Sequence, residues 1–246
     1  MLLLSKILLV IAAPFVGSFL GAVITRWSSG RPLYSGRANC DCGQVMLSPR
    51  DMIPIASWAA SRGRCRICAR GLGRLYPAIE IAALIIGLWS IIALPGIYIW
   101  TGAAFGWALL VIGMIVWRDG KLPLAVVAGV GIAGLLLAGS NGLITLRDHL
   151  LAAVIAFAAY FVLARLLNRW LLRQFMHPGD AVLPAALGAW LGWQGLPDLL
   201  LLSVLAGLAL TVLNRAFLPI HRDRVMAASL CAGAWVAWLY PLGLIP

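Results

Sequence analysis

The feature that most constrains this chain is a series of long, uninterrupted apolar runs. Eight can be drawn, at about 7–25, 77–94, 97–116, 122–138, 149–167, 181–196, 198–214 and 226–243. Each is close to the 17–20 residues that cross a bilayer core of roughly 30 Å as a helix. None alternates polar with apolar as the strands of a membrane barrel do, so helices are expected throughout. Breakers divide the runs, at Leu94-Pro95-Gly96, Gly139-Ser140-Asn141-Gly142 and Leu196-Pro197-Asp198. With 63% hydrophobic and 11% charged residues, a water-soluble domain of this size could not hide its apolar surface. The expected fold is all-α: a polytopic membrane helix bundle of about eight transmembrane helices, solvated by the lipid bilayer.

The net charge of +11 raises the question of nucleic acid, but the cations lie between apolar runs. Placing 27–76 in the cytoplasm puts Arg26, Arg31, Arg37, Arg50, Arg62, Arg64, Arg66, Arg70 and Arg74 on that side. Alternation of the spans then adds Arg118, Lys121, Arg165, Arg169, Arg173, Arg215, Arg222 and Arg224, which is seventeen of the nineteen Lys and Arg. Only Lys6 and Arg147 fall outside. The charge therefore reads as topology by the positive-inside rule, with no nucleic-acid partner. The run Ile7 to Ile24 is too long for a signal-peptide core, and its basic residues follow it, so a retained membrane anchor is expected. Three parts result: residues 1–26 as a first transmembrane helix, 27–76 as a small cytoplasmic Cys-rich loop module, and 77–246 as a seven-helix membrane core.

Four of the five cysteines lie in that module, as Cys40-Asp41-Cys42 and Cys65-Arg66-Ile67-Cys68. Two thiol pairs about twenty residues apart suit a tetrahedral four-cysteine zinc site. A reducing cytoplasm disfavours disulfides. Four thiolates would leave no open position, so such a zinc would be structural; the plain alternative is idle reduced thiols. Cys231, inside the last run, reads as a small core residue.

Acids number only eight, and ionisable groups at membrane depth are costly enough that each poses a functional question. Asp119 opens the fourth run and Asp180 the sixth, at the same membrane boundary. Two carboxylates meeting there would share a proton, one ionised and one protonated. Such a pair can activate water and protonate a leaving amine. The plain alternative is interfacial acids paired with Arg118, Lys121 or Arg173. A proton or cation relay in a transporter is a further alternative, though these acids lie near an edge rather than the bilayer centre. The eleven Trp read as interface anchors and lipid-facing bulk.

Residues 179–194 read Gly-Asp-Ala-Val-Leu-Pro-Ala-Ala-Leu-Gly-Ala-Trp-Leu-Gly-Trp-Gln. This closely resembles the second aspartate motif of the type IV prepilin peptidases, a G-x-G-D followed by a small-residue helix. Gly17-Ser18-Phe19-Leu20 is similar to that family's N-terminal signature. The stretches Asp51 to Trp58, Arg62 to Cys68 and Tyr76 to Glu80 are similar to its cytoplasmic loop, in the same order. The chain departs from the pattern at His177 and Val182, in the short Asp119-Gly120-Lys121-Leu122-Pro123 stretch, in the C-x-C pair, and at His221-Arg222-Asp223-Arg224.

The resemblance implies an aspartic endopeptidase of the bacterial inner membrane. It would cut the basic leader from a type IV prepilin or pseudopilin at the cytoplasmic face, after a Gly and before the pilin's apolar helix. Asp119 and Asp180 would be catalytic, with Gly179 admitting the scissile backbone. Asp51 and Glu80 would contact substrate or methyl donor. It further implies N-methylation of the new terminus with S-adenosylmethionine in members that carry the Cys-bearing loop. A protease-inactive member serving as methyltransferase or assembly component is the alternative within the family.

Overall fold

The computed structural model describes residues 2–30, 53–64, 71, 73–170, 177–217 and 222–241. Among these the chain is helical, apart from one isolated bridge between Arg64 and Gly71. The α-helices are α1 (Leu2–Ser28), α2 (Ala56–Ala60), α3 (Leu75–Ala93), α4 (Tyr98–Asp119) and α5 (Leu124–Ser140), followed by α6 (Leu143–Trp170), α7 (Val182–Leu191), α8 (Leu196–Phe217) and α9 (Arg222–Leu239). Single 3-10 turns at Pro178–Ala181 and Trp193–Gly195 flank α7.

Five segments are long and apolar enough to cross a membrane: Leu3–Ser28, Leu75–Ala93, Tyr98–Asp119, Leu143–Trp170 and Trp193–Val212. Shorter apolar helices at Leu124–Ser140, Gly179–Leu191 and Arg224–Leu239 stand where the other three spans are expected. Leu3, Leu4, Ile92, Leu136, Leu200 and Val212 are all more than 60% exposed. Apolar surface on this scale is stable only against lipid, so the protein is a multi-pass membrane protein.

The expected breakers act at two of three places. Leu94 ends α3, with Gly96 at φ +58°, and α5 gives way to α6 through Asn141 and Gly142. The third break comes earlier than Leu196-Pro197-Asp198. Gly192 stops α7 at φ +73°, a conformation only glycine adopts without strain. Pro197 and Asp198 instead lie in the first turn of α8, where proline costs no hydrogen bond and an acid faces the positive helix end. The ten residues of α7 therefore rise only about 15 Å, half the bilayer core.

The chain forms two compact units, Met1–Trp107 and Ala108–Pro246. In the first, α1 and α3 run antiparallel along small residues. Gly21 lies against Tyr76, Gly17 against Glu80 and Ala83, and Ala13 against Gly87. A Cβ on Gly17 would fall 2.6 Å from the Glu80 Cα, so the two backbones touch. Trp107 Nε1 donates to the Ala83 carbonyl at 3.0 Å, and Trp100 Nε1 to Ser5 Oγ at 2.8 Å. These two Trp are internal braces, whereas Trp170 and Trp193 are exposed.

In the second unit α7 is the hub. Leu183, Pro184, Ala186, Leu187, Gly188, Ala189 and Trp190 are all buried. Parallel α5 meets it through Gly131 against Ala186 and Gly134 against Ala189 and Trp190. Antiparallel α6 meets it where a Cβ on Gly188 would lie 2.7 Å from the Ala152 carbonyl oxygen. Gly188 is therefore a packing glycine, and Gly192 lies against His149 of α6. Helices α8 and α9 pair antiparallel through Ser203 against Gly233 and Gly207 against Ser229. Cys231 is buried, as the sequence suggests.

Because the Ala152 carbonyl is backbone, it cannot yield to a side chain at position 188. Gly188→Leu should cost about 1–3 kcal/mol or prevent folding, lowering the thermal midpoint of the detergent-solubilised protein. Gly129→Leu, at a site with nothing within 4 Å, should leave that midpoint unchanged.

Candidate active site

Asp119 is the last residue of α4 and is half-buried. Gly120 follows at φ +68° and donates its N–H to the Val116 carbonyl at 2.8 Å, the usual glycine stop of a helix. Lys121 and Leu122 then lead to buried Pro123, whose carbonyl accepts the Val126 and Val127 N–H groups and starts α5. A four-residue link thus fixes Asp119 beside the first turn of α5. Among the described residues Asp119 makes no ion pair with Arg118 or Lys121. That removes those two cations from the interfacial-pair alternative.

Asp180 lies in the 3-10 turn that opens α7. Its N–H donates to the His177 carbonyl at 2.9 Å, and Pro178 stands at the first position of the turn. The next residue, Ala181, is fully buried, while Asp180 itself is half-exposed. Gly179 is exposed, and a Cβ built on it would meet nothing within 4 Å. Among the described residues no packing contact demands a glycine there.

The helix registers set the two acids at the same end of this unit. The contacts of Gly131 with Ala186 and of Gly134 with Trp190 run in step along parallel α5 and α7. Carried back toward the helix starts, the same step sets Leu124 beside the turn containing Asp180. Asp119 therefore stands at the same end of this unit as Asp180. The two acids differ in setting: Asp180 lies in the turn that opens α7, and Asp119 is the residue that closes α4.

Two neighbours escaped the sequence reading. Tyr160 of α6 is buried, packs in one cluster with Ala181, and lies within electrostatic reach of Asp180. Its hydroxyl has only a long contact, 3.9 Å, to Met226 Sδ. Arg224, at the start of α9, donates from Nη1 to the Trp117 carbonyl at 2.9 Å, two residues before Asp119. Neither sits in a recognisable motif, and only the packing reveals them.

Glu80 belongs to the first unit. It is buried in α3, accepts the Ile55 N–H at 2.7 Å, and is also hydrogen-bonded by Ser18 of α1. Ile55 is held at φ +60°, a costly conformation for a β-branched residue. The carboxylate thus ties two helices to the loop at residues 53–64. Asp51, Cys40, Cys42, Cys65 and Cys68 lie outside the described residues.

Fold and site together define a polytopic helical membrane protein with two carboxylates at one end of its second unit. Comparison with known proteins gives the family. Residues 11–94 match the Bacterial Peptidase A24 N-terminal domain, and residues 103–212, which carry both acids, match the Type IV leader peptidase family. A prepilin leader peptidase/N-methyltransferase of Dickeya chrysanthemi is 32% identical over 94% of this chain and 88% of its own length. One of the same description from Pectobacterium carotovorum is 30% identical, covering 90% and 86%. The type 4 prepilin-like proteins leader peptide-processing enzyme of Escherichia coli is 27% identical, covering 85% of each chain. No solved structure matches. The chain belongs to the type IV leader peptidase family.

The Glu80 brace is testable without any substrate. Glu80→Ala removes a charged acceptor worth about 1.5–3 kcal/mol, so trypsin should cut after Arg62 and Arg64 faster than in wild type. Glu80→Gln keeps a carbonyl acceptor and should fall between the two; equal rates for all three would contradict the brace.

Proposed function

We propose that Asp119 and Asp180 are the catalytic pair with which this leader peptidase removes the leader from type IV prepilins or pseudopilins. What supports this reading is that both acids stand just before the parallel helices α5 and α7, at one end of that pair, inside the segment that matches the family. One carboxylate of the pair draws a proton from the attacking water while the other delivers a proton to the leaving amine. Gly179 leaves open the space in which the scissile peptide approaches. An amide inside a helix is closed to attack, so the substrate must unwind where it meets the pair, with its apolar helix among the spans.

We place this end of the unit, and the loop at 27–76, on the cytoplasmic side of the bacterial inner membrane. The distribution of Lys and Arg supports this, with seventeen of nineteen on one side. A basic leader would then remain in water while the pilin's apolar helix stays in lipid.

The relatives' names add N-methylation, and the same reading gives this chain a methyl transfer from S-adenosylmethionine to the new N-terminus. A structural zinc held by Cys40, Cys42, Cys65 and Cys68 would staple the loop. The antiparallel bridge of Arg64 with Gly71 supports it, because it draws together the flanks of Cys65 and Cys68.

The test is the intact mass of a prepilin co-expressed with the protein. Wild type should remove the leader, with one added methyl if the second activity operates. Asp119→Asn and Asp180→Asn should each leave the leader in place, a loss of at least about 10³-fold in rate. An uncut prepilin with wild type, across several substrates, would contradict the peptidase reading. Zinc is checked separately: the purified protein should hold one equivalent, and Cys65→Ser should lose most of it.

A further inference from the structure

We infer that Arg224 is a positioning residue for Asp119, holding the last turn of α4 so that this carboxylate keeps its place in the site. The inference rests on the assignment of Asp119 to the catalytic pair.

The last carbonyls of a helix lack intrahelical partners and take theirs from caps, side chains or water. At the end of α4 the Val116 carbonyl is taken by the Gly120 N–H, and the Trp117 carbonyl by Arg224 Nη1 at 2.9 Å. The bond joins residues 107 apart in the chain, and it is the guanidinium of α9 that reaches across. The same side chain passes close to the link: a Cβ on Gly120 would lie 3.9 Å from Arg224 Nε. Arg224 thus bonds to the residue two before Asp119 and passes near the residue after it. Arg118 and Lys121, its charged sequence neighbours, are both exposed and form no ion pair with it among the described residues. The guanidinium also places positive charge at the negative pole of α4, where it opposes the helix field acting on Asp119. A planar, permanently charged fork held by a backbone carbonyl fixes geometry better than a flexible ammonium would.

The consequence concerns turnover more than substrate binding. Arg224→Met keeps much of the side-chain bulk but removes donor and charge. A carboxylate freed to shift by about 1 Å would lose on the order of 10²-fold in kcat, with KM little changed. Arg224→Lys keeps a charged donor and should recover most of that loss.

A second readout needs no turnover. In an Asp119→Cys background, Arg224→Met should raise the rate of maleimide labelling at position 119 several-fold, mapped by mass spectrometry. Arg224→Lys in that background should not. A kcat for Arg224→Met within twofold of wild type, or labelling at position 119 unchanged by that substitution, would overturn the inference. A wild-type protein that cuts while Asp119→Asn does not, with Arg224→Met fully active, would sink this inference and leave the proposed function standing. Failure of wild type to cut would sink the proposed function, and labelling would still decide the role of Arg224.

Discussion

Where a helix stops inside lipid, the protein itself must supply the missing hydrogen-bond partners. The second unit shows how. At the start of α7 the Asp180 N–H finds the His177 carbonyl. At its other end the Gly192 N–H finds the Gly188 carbonyl, and His149 Nδ1 lies 3.0 Å from the Ala189 carbonyl oxygen. At the end of α4 the closing group is Arg224. A half-length helix such as α7 is tolerable in a membrane only because both of its ends are satisfied this way. That helix is also the one that carries Asp180 into the unit at the same end as Asp119.

Glycine contacts set the remaining geometry. The backbones of α6 and α7 approach until the Ala152 carbonyl nearly touches the Gly188 Cα, and α5 approaches α7 as closely at Gly134. These contacts fix the register of three helices, and the register determines that the two acids share an end. Tyr160 packs beside Ala181, the residue after Asp180.

Much of this was legible in the sequence, and the rest was not for physical reasons. Apolar run length gave the helices, since any segment of that composition must be helical in a bilayer. Leu94-Pro95-Gly96 and Asn141-Gly142 marked real breaks because proline and glycine act locally. The break near Leu196 was misplaced because proline is equally at home in a first helical turn, and nothing local says that His149 packs on Gly192. Asp119 and Asp180 stood out because charge is rare in such a chain, whereas their placement at one end depends on glycine contacts between distant helices. Glu80 read as a loop residue, yet its carboxylate is buried against Ile55 and Ser18, a partnership invisible to spacing. Tyr160 and Arg224 belong to no motif, because their contacts lie in other helices.

The central claim is that Asp119 and Asp180 face one site, and proximity can be measured directly. Asp119→Cys and Asp180→Cys would be combined in one chain and treated in membranes with a short bis-maleimide, the linked peptides being identified by mass spectrometry. Gly131→Cys with Ala186→Cys, on the contacting faces of α5 and α7, serves as the positive control. The account predicts a 119–180 link formed as readily as the 131–186 link. A linked control with no 119–180 product would show that the two acids do not meet, and would contradict the account.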